Sequence, residues 1–206
     1  MSEIDLTQIY RAPLAQVEAK KQGRLDAAST DFVRQCTFVV LSTHDEDGNC
    51  DASPRGGPRG FLVPVDDRCV VIGDMTGNNL IDSIRNISMT GKIGMLMMHA
   101  GRSETLRLNG SARLSTDPAH LNLFATVMAR PKLAIIVEVA EVYVHCAKAV
   151  RRGRLFDPEL WAELAEAPDA ADIIASQFGM PFPDQIRAAL STGYEQDLLA
   201  DQPTYD

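Results

Sequence analysis

The sequence predicts a mainly β protein with peripheral helices, built around a small antiparallel barrel. Two observations carry that expectation. Between residues 36 and 145 six to seven short apolar runs, rich in Val and Ile, follow one another with turn residues between them and few helical stretches. Beyond Arg154 the pattern changes to acidic amphipathic helices separated by prolines.

Residues 1–35 read as a helical extension. Apolar positions at Ile9, Leu14 and Val17 give a helical stripe over Thr7–Lys21, interrupted by Pro13, and Thr30–Gln35 forms a shorter candidate. The barrel segment, 36–154, opens with the β-branched run 36–43, closed by Asp45-Glu46-Asp47-Gly48-Asn49, whose Asp-Gly-Asn portion suits a hairpin. Strands are expected over 50–53, 60–65 and 69–74, then a helix over Asn79–Met89. A second strand pair over 92–99 and 104–114 follows. Thr116-Asp117-Pro118 starts a helix reaching Met128, because it places a cap and then a proline in the first turn. The long run 132–145 is the last strand of the body. An extension over 155–206 completes the chain, with helices at 158–166, 170–178 and 184–199. Its apolar residues, among them Ile173, Phe178 and Leu190, require it to pack on the body or on a second copy.

Hydrophobic residues make up 45% of the 206 positions and charged residues 23%, the balance of a soluble globular chain. No run approaches the roughly 18 apolar residues of a membrane helix, and the acidic N-terminus does not read as a secretory leader, so a cytoplasmic location is expected. The net charge of −8 is uneven: residues 157–206 hold eleven acids and one base, Arg187, leaving a near-neutral body. That distribution disfavours nucleic acid and anionic membranes as partners, since both need a basic face. Cys36, Cys50, Cys69 and Cys146 are too scattered for a zinc or disulfide framework, and no metal site is expected. The three cysteines in apolar runs, Cys36, Cys69 and Cys146, read as small buried hydrophobes.

The chemistry concentrates between Ser53 and Asn86. Ser53-Pro54-Arg55-Gly56-Gly57 and Gly73-Asp74-Met75-Thr76-Gly77-Asn78-Asn79 flank a short hairpin, and folding can turn both toward one anion. Free backbone N–H groups at a helix start and a nearby guanidinium suit a phosphate. For Arg55 the competing reading is a solvated loop residue. Asn78 and Asn79 can donate amides to a ligand or simply cap the helix. Asp74 can accept from ligand hydroxyls or close a turn, and Gly56 permits close backbone approach or only a flexible turn. Thr105 and Arg107, two apart on one strand, share a face; the alternative for Arg107 is an ion pair with Glu104 or another acid. Lys148, Arg151, Arg152 and Arg154 form the one dense basic cluster, fit either to clamp the acidic extension or to receive an anion.

Taken in order, Gly48-Asn49, Ser53-Pro54-Arg55-Gly56, Gly77-Asn78-Asn79 with Asp82-Ser83 and Arg85-Asn86, Gly101-Arg102 and Glu104–Gly110 resemble the pyridoxamine 5′-phosphate oxidase-related flavoproteins. The resemblance spans roughly residues 30–161. It implies a split β-barrel homodimer with FMN at the subunit interface and a small-molecule substrate. Ser53 and Asn78–Asn79 fall where the oxidase proper places basic phosphate ligands, so Arg55 is the expected substitute. FMN retention on purification is expected to be weak, and pyridoxamine phosphate is not the expected substrate. Thr105 falls where the oxidase has a glutamine beside the flavin ring. Arg107 is placed to approach the flavin N1–C2 edge, where reduction gathers negative charge. Trp161 corresponds to the family's C-terminal aromatics near the flavin, or else packs in the core. The implied activity is flavin-mediated electron or hydride transfer with no catalytic side chain assigned. A flavin-sensing dimer without turnover, or a split barrel using deazaflavin or haem, remains open at this point.

Overall fold

The computed structural model describes residues 4–75 and 77–203. The expected interruption at Pro13, which lacks a backbone donor, separates a 3-10 turn at Leu6–Gln8 from a short helix α1, Ala15–Ala19. Helix α2 (Ala27–Gln35) begins three residues earlier than expected. Asp26 and Ser29 cap each other's backbone N–H groups and fix its start.

Seven antiparallel strands follow: β1 (Phe38–His44), β2 (Cys50–Gly56), β3 (Leu62–Pro64), β4 (Cys69–Asp74), β5 (Lys92–Met98), β6 (Thr105–Ser115) and β7 (Leu133–His145). Their order in one sheet is β2-β1-β5-β6-β7-β4-β3. The sheet curls into a split barrel because β6 and β7 are long enough to serve both halves. The first half of β7 pairs with β4, and beyond Val139 its free edge is met, among the described residues, by Gln22 at Val142. Between Asn109 and Gly110 the β6–β7 register shifts. A Cβ on Gly110 would run into the Glu138 carbonyl, so this bulge requires glycine.

Strand β2 runs past Ser53 to Gly56, longer than expected. It is an edge strand, where Pro54 removes no ladder donor that a neighbour needs. Inside the curl, Val39, Leu41, Phe61, Leu62, Ile72, Met95, Met97, Leu108 and Ile135 are fully buried. Cys36 belongs to this core; Cys69 is half-buried and Cys146 exposed, correcting the expectation that all three are buried.

Helix α3 spans Asp82–Thr90, not Asn79–Met89. The Asn78 side chain accepts from the Leu80 N–H, and Asn79 and Ile81 take left-handed backbone angles (φ 60° and 53°), so the helix cannot begin before Asp82. The single helix expected to reach Met128 is instead α4 (Pro118–Leu121) followed by a 3-10 turn, Asn122–Phe124. This tighter winding accompanies burial of Leu121, Phe124 and Met128 together. Helix α5, Lys148–Arg152, was not expected; it carries most of the basic cluster.

The C-terminal segment forms α6 (Pro158–Glu163), α7 (Ala170–Phe178) and α8 (Pro183–Ala200). Arg154 holds α6 through Asp157, Glu159 and Glu163. Arg187 joins α8 to Asp169 and Asp172 around the start of α7. Helix α8 buries no residue, yet its end reaches the barrel, where the Ala129 N–H donates to the Asp201 carbonyl at 2.9 Å. No helix of the described residues is long and apolar enough to cross a membrane.

Candidate functional site

Between the ends of β2 and β4 and the loop that leads into α3 lies a cavity of about 430 Å³. Six of the expected residues line it: Ser53, Arg55 and Gly56 from β2, Asp74 from β4, and Asn78 and Asn79 from the loop. The alternation of β2 explains the first wall. Asp51, Ser53 and Arg55 point to the same side as Val39, Leu41 and Thr43, their partners on β1.

The opposite wall is fixed by buried hydrogen bonds. Ser83, at the start of α3, donates to the Asp51 carboxylate at 2.8 Å. Thr43 lies 3.4 Å from the same carboxylate and accepts from the Asn86 amide at 3.0 Å. These bonds tie α3 to β1 and β2 and keep its first turn, Asp82, Ser83 and Ile84, on the cavity wall. The left-handed Ile81 on the lip is costly for a β-branched residue and is held there by this surrounding structure.

Arg55 is about four-fifths buried. Its guanidinium donates to Ser53 Oγ and, at 3.0 Å, to the Pro54 carbonyl. Its Nε lies 3.5 Å from the Asp74 carboxylate. Burial pushes the Asp74 carboxyl above its ordinary range, and the charges of Arg55 and Lys132 only partly pull it back. Lys132 and Asp201 complete the rim. Burial, then the charge of Asp197, raises the Asp201 carboxyl as well. Two cations, Arg55 and Lys132, thus face four carboxyls, those of Asp51, Asp74, Asp82 and Asp201.

Three expected residues stand apart from this cavity. Thr105 is buried where β6 starts, opposite Met98 and His145. Arg107 donates to the Tyr143 hydroxyl at 3.0 Å, in place of the expected alternative with Glu104. Trp161 on α6 is 54% exposed and donates to the Leu155 carbonyl at 2.8 Å, so it packs in no core. Sequence reasoning missed Lys132 and Asp201. Lys132 could have been found, since it immediately precedes the strand that pairs with Asp74; nothing local marked Asp201.

The pyridoxamine 5′-phosphate oxidase family model matches residues 25–146, more than half of the chain. The chain therefore belongs to the pyridoxamine 5′-phosphate oxidase family. No curated protein matches the sequence. Among solved structures, HupZ of Group A Streptococcus is 20% identical, with 58% of this chain and 93% of that one covered at a TM-score of 0.48. A putative pyridoxamine 5′-phosphate oxidase of Lactobacillus delbrueckii is 18% identical over 60% of this chain and 98% of its own, at a TM-score of 0.48. The FAD binding protein of Mycobacterium smegmatis is 15% identical over 60% and 97%, at 0.41.

Proposed function

We propose that the chain is an FMN-binding oxidoreductase that acts, as a homodimer, on a small molecule other than pyridoxamine phosphate. The observation that carries this reading is the convergence of Ser53, Arg55, Gly56, Asp74, Asn78 and Asn79 on one cavity beside the start of α3. Its volume falls in the range of cofactor sites. Arg55 and the N–H groups of α3 would hold the phosphate, while Asn78, Asn79 and Ser53 supply neutral hydrogen-bonding groups around it. Gly56 and Gly73 give the backbone close approach; a side chain on Gly73 would collide with Met128. Bound FMN supplies the redox chemistry, and the protein groups hold and orient it.

The homodimer is supported by an uncovered sheet face. Phe38 and Val40 on β1, Pro54 on β2, and Leu96 and Met98 on β5 point away from the core in adjoining registers. One face of a sheet this apolar calls for a second layer, and a second copy supplies it.

The deciding experiment is titration of FMN into stripped protein, followed by flavin fluorescence. Wild type is expected to bind one FMN per chain, with affinity falling as salt rises, because one guanidinium works against several carboxylates. Arg55→Ala is expected to weaken binding about tenfold or more, from about 1.5–3 kcal/mol of charge-assisted hydrogen bonding. Unchanged FMN affinity in that variant removes Arg55 from the site.

A further inference from the structure

A second cavity, of about 600 Å³, lies at the β6–β7 end of the sheet, beside the strap that leads into α2. It shares no lining residue with the first. The strap is pinned by two backbone hydrogen bonds between Gln22 and Val142, and by the Leu25 N–H donating to the Asp67 carbonyl at 2.7 Å. The floor is apolar, made by Leu25, Leu106 and Val142, all buried. The rings of Phe32 and Tyr143 form its walls.

The charges around it are unevenly committed. Asp26, on the rim, accepts the Ser29 N–H and hydroxyl through its Oδ1, as the cap of α2. Arg24 stands 3.6 Å from Asp67. Lys20 and Arg107, by contrast, make no ion pair among the described residues, although they flank the same tyrosine. The Lys20 ammonium lies 5.6 Å from the Tyr143 ring centre and the Arg107 guanidinium 5.9 Å from it. Arg107 also donates to the Tyr143 hydroxyl, which leaves the tyrosine's own O–H proton without an acceptor among the described residues.

We infer that this cavity is a second small-molecule site, taking a flat apolar body that carries one anionic group. The body lies on the Leu25–Leu106–Val142 floor between the two rings. The anion receives the Tyr143 proton and the Lys20 ammonium. Neither is consumed elsewhere among the described residues, and an apolar pocket with a few convergent polar donors is how such ligands are held. Arg107 acts through Tyr143 as a positioning residue, by fixing the hydroxyl as an acceptor on its outer side.

The test uses the full chain loaded with FMN and two probes of the same shape, 2-naphthoate and the neutral 2-naphthamide, titrated by calorimetry. Saturable binding of one naphthoate per chain is expected, with the amide weaker by about tenfold, the worth of one charge-assisted contact. Lys20→Gln, which keeps much of the aliphatic stem and removes the charge, and Tyr143→Phe are each expected to lower naphthoate affinity by a similar factor. Lys92→Gln, a charge removed from an exposed residue outside both cavities, is expected to leave naphthoate binding within about twofold. Equal binding of the amide, no saturable naphthoate binding, or indifference to Lys20→Gln overturns the inference. So does an equal loss on Lys92→Gln, which would make the effect one of overall charge and not of this cavity. Because FMN affinity is read separately, failure here leaves the flavin reading untouched, and the reverse holds.

Discussion

At the scale of single residues the tension in the first cavity is between Arg55 and Asp74. The guanidinium suited to a phosphate already faces a carboxylate 3.5 Å away, and both are mostly buried. For Asp74 burial outweighs the attraction, so its carboxyl titrates higher in the folded chain than in the unfolded one. A group of that kind contributes stability in full below the ordinary carboxylate range and loses it as pH rises through the raised value. At neutral pH, then, the charged Asp74 is a cost to the fold as well as a competitor for Arg55. Asp74→Asn is expected to raise the melting temperature at neutral pH, with the gain fading in acid below the carboxylate range. It is also expected to tighten FMN binding, since Arg55 is released to the phosphate. Weaker binding in that variant would show Asp74 to be a ligand of the cofactor and not its rival.

Among elements, β6 and β7 decide the shape, and their bulge is the most exacting point. Gly110 sits where the register slips, with no room for a methyl group against the Glu138 carbonyl, a backbone atom that cannot swing aside. Gly110→Ala is expected to cost about 2 kcal/mol or more, read by denaturant melts, because the strand must shift to accept it. Gly48→Ala tests another kind of glycine: it meets nothing within 4 Å, but its φ of 84° still disfavours a side chain, so a cost of about 1 kcal/mol is expected. The strands were legible because alternation and β-branching recur along each of them, and Pro54 shortened the expectation for β2 only because edge position is not written in local sequence. The helices were less legible at their starts. Two left-handed residues delay α3, and the burial of Phe124 and Met128 tightens the turn after α4; both are effects of packing that no periodicity shows.

For the whole molecule, legibility follows chain distance. Six cavity residues come from two segments joined by one hairpin, so reading them as a pair was enough to bring them together. Lys132 and Asp201 arrive from elsewhere in the chain, and Thr105, Arg107 and Trp161 stand outside this subunit's cavity. Arg107 pairs opposite Leu96, so it continues the uncovered sheet face on which Phe38, Val40 and Pro54 lie. A second copy laid on that face would cover the apolar patch, and a stable dimer needs about 1,200–2,000 Å² of total buried surface. Sedimentation of the wild-type chain is expected to give a dimer. Leu96→Glu places a charge at the middle of the face without touching the core, and is expected to give a folded monomer with an unchanged far-ultraviolet spectrum. If the cofactor lies between subunits, the same variant loses FMN along with its partner. A wild-type monomer that holds FMN as tightly as a dimer would show instead that one subunit's cavity is sufficient by itself.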